Sequence, residues 1–147
     1  MKKTLISIIM VAFVILSACG KSKTSLPAEG PEEVVTRFYA YLKEGGPTTL
    51  GEAYRLISTK RYTMYEDIFK DTAKKYPKDL EIKVIGSIIN EKEERAVVTI
   101  EYKAPSAFGG YFTSQTDVAL ELDKESKSWK IDFTGETYEE NPSMYAG

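Results

Sequence analysis

Gly30-Pro31-Glu32-Glu33-Val34-Val35-Thr36-Arg37-Phe38-Tyr39-Ala40-Tyr41-Leu42-Lys43-Glu44-Gly45-Gly46-Pro47 is the stretch on which the fold turns. Pro31 suits the first position of a helix, where its missing N–H would have had no partner. Gly30 can cap the helix, and Glu32 and Glu33 favour its positive end. Val34, Val35, Phe38, Tyr41 and Leu42 fall on one stripe at helical spacing, and Gly45-Gly46-Pro47 stops the helix. A stripe this apolar needs a surface to lie on, and the rest of the chain has to supply it.

Downstream, Thr49 and Glu52 have the spacing of a capping box, opening a second helix with Leu50, Ala53, Tyr54 and Ile57 on one face. A third helix is expected over Tyr62 to Tyr76, with Tyr65, Ile68, Phe69, Thr72 and Tyr76 as its stripe and Pro77 as its end. From Asp79 the period changes to two. Ile82, Val84 and Ile88 mark a first strand, and Ala96, Val98, Ile100 and Tyr102 a second. Phe112, Val118, Leu120 and Leu122 mark a third over 111–122, and Trp129, Ile131 and Phe133 a fourth. The charged turns at Glu91–Glu94 and Asp123–Lys127 are short, which implies an antiparallel meander with one solvated side and one helix-covered side. The expected fold class is α+β: three N-terminal helices packed on a four-stranded antiparallel sheet.

Upstream, Lys2 and Lys3 precede an uncharged run from Thr4 to Leu16, then Leu16-Ser17-Ala18-Cys19. The run has secretory length and is too short for a membrane span of about 20 residues. Leu16 to Cys19 resembles the bacterial lipobox. That resemblance implies cleavage after Ala18 and a diacylglyceryl thioether on Cys19, which is the lipid-attachment residue. Acyl chains in twos or threes hold a protein on a bilayer stably, where one does so only marginally. Cys19 is the only cysteine, so no disulfide forms within the chain. Gly20 rather than Asp follows it, which in a two-membrane bacterium implies the outer membrane; otherwise the address is the cell membrane, extracytoplasmic face. The resulting organisation is a signal peptide (1–18), a lipidated tether (19–30) of about 17–20 Å root-mean-square length, a folded domain (31–134), and an acidic tail (135–147). The tail reads as poorly ordered or loosely docked.

Composition bounds what the domain does. Removing residues 1–18 from the 147 takes away two lysines, and the remainder carries a net charge of about −4. Nucleic-acid binding and an electrostatic grip on anionic lipid both want a basic patch, and neither is expected. The chain has no histidine, which excludes a thiolate–imidazole zinc site and a histidine-activated serine or cysteine nucleophile. No metal and no cofactor are expected.

Pro31-Glu32-Glu33-Val34-Val35 leading to Phe38-Tyr39 and Leu42, then Ala53-Tyr54 to Leu56-Ile57-Ser58, then four strands ending near Trp129, resemble the nuclear transport factor 2-like superfamily over about residues 31–134. More narrowly, the chain looks like the lipoprotein family of unknown function within it. The resemblance implies a cone, a curved sheet wrapped around helix one, often with a pocket. That superfamily holds isomerases, dehydratases and ligand-free interaction modules, so fold alone assigns no function.

Two readings follow. One is a non-catalytic, membrane-tethered module for a small apolar ligand or a protein partner, with a dimer left open. The other is a small isomerase- or dehydratase-like enzyme, which needs an acid or base inside the pocket. The alternation puts Glu81, Glu101, Asp117, Glu121 and Asp132 all on the polar phase, so no catalytic residue is assigned and the module is preferred. The candidate pocket is Tyr41, Tyr65, Tyr102 and Asp117, with core filling as the alternative role of the tyrosines.

Overall fold

The computed structural model describes residues 27–61 and 63–134. Cys19, most of the tether and the tail over 135–147 lie outside the described residues. Helices α1 (Pro31–Glu44), α2 (Pro47–Arg55) and α3 (Glu66–Ala73) precede strands β1 (Glu81–Asn90), β2 (Arg95–Pro105), β3 (Tyr111–Asp123) and β4 (Ser128–Ile131). The strands form one antiparallel sheet in the order β1-β2-β3-β4. This is the architecture expected from the change of period: three helices, then one four-stranded antiparallel sheet.

Helix α1 follows its sequence signals closely. Gly30 is the N-cap, Pro31 opens the helix, and Gly45 closes it at φ 69° with its N–H on the Tyr41 carbonyl. That positive φ is left-handed and suits glycine. Val34, Val35, Phe38 and Leu42 are buried, and Tyr41 is half-buried beside them. The helix runs antiparallel to β1. Ser87 donates to Glu32 near its start, and Lys78 donates to the Leu42 carbonyl near its end. Its stripe meets a sheet face built by Ala96, Val98, Ile100, Leu120, Trp129 and Ile131, all no more than 2% exposed.

Four expectations are corrected. Helix α2 begins at Pro47 with Gly46 as N-cap, so Thr49 lies inside the first turn and donates to the Gly46 carbonyl rather than capping. Helix α3 is shorter than expected and shows a different face: Phe69 and Ala73 are buried, whereas Tyr65 is 65% and Ile68 57% exposed. Phe69 is drawn inward by the rings of Phe38 (6.3 Å) and Tyr54 (5.7 Å), and that contact sets the rotation of the helix. In β1, a bulge between Val84 and Gly86 inserts Ile85. One extra residue exchanges the faces beyond it, so Ile88 pairs with Val97 on the outer face and is 68% exposed. Finally, β4 ends at Ile131, and Phe133, expected on its inner phase, lies beyond it and is 49% exposed. The Asp132 carboxylate accepts from the Thr134 amide (3.0 Å) and hydroxyl (2.6 Å), a side-chain turn that takes the chain off the ladder.

Beyond α2 the chain returns along the far edge of β4. The Ile131 amide donates to Leu56 and the Ser58 amide to Ile131, both at 2.8 Å, in a parallel bridge of Ile57 with Ile131. Among the described residues no helix is long and apolar enough to cross a membrane.

Candidate functional site

Two clefts open against α1 and share Tyr39 as a wall. The first, about 260 Å³, lies between α1 and β1, bounded by Tyr39, Lys43, Tyr76, Leu80, Ile82 and Val84. The Tyr39 and Tyr76 rings stand 6.1 Å apart. Burial raises the Tyr39 phenol above its usual range. Burial, with the neighbouring Tyr39, raises Tyr76 well above it. Both phenols are pushed toward the neutral form. The Tyr76 hydroxyl is buried without a hydrogen-bond partner among the described residues.

The second cleft, about 210 Å³, sits where β4 stops and β3 continues alone. Its floor is Phe38 and Tyr39, one wall is Ile131 to Phe133, and the other is the four consecutive residues Thr116 to Ala119 of β3. The Phe38 and Phe133 rings lie 5.9 Å apart. Two carboxylates line it. Asp132, 6% exposed, is bound by Arg95 at 2.9 Å as well as by Thr134. Desolvation pushes its pKa up, but the Thr134 hydroxyl, the Thr134 amide and the Arg95 charge together outweigh that and hold it below the usual carboxylate range. It is a fixed negative charge. Asp117 is exposed and accepts the Thr99 hydroxyl at 2.7 Å from the adjacent strand.

Of the four residues expected to form a pocket, Asp117 lines the second cleft. Tyr41, Tyr65 and Tyr102 line neither. Tyr41 packs against the core. Tyr65 is the N-cap of α3 and faces solvent. Tyr102 stands edge-on to Phe112 at 6.1 Å. Tyr39, Asp132 and Phe133 were not anticipated. The signal for Tyr39 is its place one step off the α1 stripe, where a helix borders the groove beside its own contact line. The signal for the other two is the Asp-x-Thr of 132–134, a turn signature inside a strand-like run.

The alternation puts every strand carboxylate on the polar phase, and two of them are nonetheless buried there. Glu121 is 9% exposed as well as Asp132, because Ser58, held on the far edge of β4, donates its hydroxyl to Glu121. Both acids are buried with hydrogen-bond partners, as buried polar groups generally are. Among the described residues no group of three or more His, Cys, Asp or Glu is placed to share a metal ion.

No family model matches the chain, and no match is found among curated proteins. Among solved structures, the chain is similar to an NTF2-like protein of unknown function from Exiguobacterium sp. 255-15. The TM-score is 0.48 at 14% identity, covering 67% of this chain and 94% of that one.

Proposed function

We propose that the chain is a lipid-anchored, extracytoplasmic lipoprotein, held on the cell or outer membrane through Cys19, whose folded domain is a non-catalytic binding module of the nuclear transport factor 2-like kind. Within that superfamily its sequence resembles the lipoprotein family of unknown function. The observation that carries the reading is the state of the acids at the clefts. A proton-transfer enzyme needs a carboxyl poised to exchange a proton near working pH. Asp132 is instead clamped as a carboxylate by Arg95 and Thr134, and Asp117 stands in water against Thr99. Both clefts are also smaller than the roughly 300–1,000 Å³ usual for small-molecule sites, at about 260 and 210 Å³. Side chains of a partner fit such volumes better than a cofactor does.

The test is native mass spectrometry of the full chain purified from its membrane fraction, followed by denaturation to release what it carries. A bound polypeptide or small molecule lost in parallel with Tyr39→Ala supports the module. A turnover that disappears with Asp117→Asn or Asp132→Asn while the fold persists overturns it.

A further inference from the structure

A concavity that touches four consecutive strand residues must straddle the strand's edge, because successive side chains point to opposite faces. Thr116, Asp117, Val118 and Ala119 all line the second cleft. What lies between them is therefore the backbone edge of β3. The ladder alternation says which groups are free there. Leu122 donates to Glu94, the residue that leads into β2, and Ala119 accepts from Asp132 on the other side. Alternation along an antiparallel strand then turns the N–H and C=O of Thr113, Gln115 and Asp117 away from β2, toward the side that β4 leaves empty. β4 pairs with β3 only from Leu120 to Asp123. Among the described residues no strand continues the pairing.

The two edges of this sheet are treated differently. β1, at the other edge, carries Lys83 and the bulge at Ile85, devices that discourage a further strand. The β2–β3 register runs unbroken from Tyr111 to Glu121, and over 111–119 β3 has no lysine, no proline and one charge, Asp117. The chain's own exit is turned off this edge by the Asp132–Thr134 turn, which spends the Thr134 amide on a side chain. The segment that follows carries Glu136, Glu139 and Glu140, of the same sign as Asp117.

We propose that the free edge of β3 over Thr113–Asp117, with the adjoining cleft, accepts an extended segment of another polypeptide in which apolar and basic residues alternate. The segment adds as a strand, its main chain bonding Thr113, Gln115 and Asp117. Its apolar side chains turn toward Phe38 and Phe133, and its basic ones toward Asp117, whose Oδ1 is already oriented by Thr99. This rests on the binding-module reading and names the partner class for it.

The test uses the full chain in detergent micelles and the nonapeptide acetyl-TVKVTVKVT-amide, read by amide hydrogen exchange resolved by NMR. The expected result is alternating: exchange slows about tenfold or more at Thr113, Gln115 and Asp117, while Ser114, Thr116 and Val118, already bonded to β2, change little. A peptide N-methylated at alternate amides gives no protection. Acetyl-TVEVTVEVT-amide binds about threefold to tenfold more weakly, and Asp117→Lys, an exposed site that leaves the core intact, reverses that preference. Three results overturn the proposal. The amides of 113, 115 and 117 are protected in the chain alone, showing that its own segment or a second copy occupies the edge. The glutamate peptide binds equally well. The peptide's shifts fall only around Tyr76 and Val84, which would leave a binding module with its site in the first cleft.

Discussion

Trp129→Ala is the perturbation that tests the core most directly. Trp129 is 2% exposed and stands opposite Leu122 across the β3–β4 ladder, on a strand of four residues. So short a strand is held less by its backbone bonds than by the two inward side chains, Trp129 and Ile131. An indole buries about 150–250 Å². At about 25 cal/mol per Å² that is roughly 4–6 kcal/mol as an upper bound, and truncations of large buried aromatics generally cost about 3–5 kcal/mol. We expect a loss of about 3–5 kcal/mol, a large share of the 5–15 kcal/mol typical of a domain. The assay is urea unfolding followed by far-ultraviolet circular dichroism, since the substitution removes the sole tryptophan. Trp129→Phe, which keeps an aromatic in the site, should lose less. A loss below about 1 kcal/mol, the range of ordinary surface changes, would refute the reasoning. So would a wild-type emission spectrum of water-exposed indole.

Asp132→Asn should flatten the acid limb of the stability curve. The folded-state pKa is depressed, so its stabilisation is present above the unfolded value of about 3.9 and is lost as pH falls through the folded one; urea midpoints from pH 2 to 6 will show it. Tyr76→Phe removes a buried hydroxyl that has no partner among the described residues, so it should be neutral or stabilise by about 1 kcal/mol; a lowered thermal midpoint would mean the hydroxyl is satisfied in solution. Cys19→Ser should release the protein from the membrane fraction without unfolding it, and continued pelleting after a salt wash would refute the lipid anchor.

The β2–β3 hairpin tip carries an exposed aromatic. Phe108 is wholly exposed, beside Gly109 and Gly110 at φ 88° and 75°. The start of α1 lies near Ser87, which pairs with Val98. The tip lies beyond Pro105, about 24 Å further along β2 at roughly 3.4 Å per residue. The start of α1 and this aromatic therefore stand at opposite ends of the sheet.

Residue order along the chain was enough for α1, for the four-stranded meander and for the burial of Trp129. In each case the cause is local: a proline and two glycines punctuate a helix, a period of 3.6 or 2 selects the face, and short charged turns permit only antiparallel neighbours. It was not enough for the rotation of α3, the face of Ile88, the burial of Glu121 and Asp132, or the clefts. The side of α3 that turns inward is set by the rings of Phe38 and Tyr54, which arrive from other helices. Ile88 faces water because one inserted residue in β1 reverses the alternation, and an apolar side chain on either face reads the same in sequence. Asp132 is buried because Arg95, 37 residues away, meets it across the sheet. The second cleft exists because β4 is shorter than β3, and the length of a ladder is a property of two strands together, which neither strand's sequence states alone.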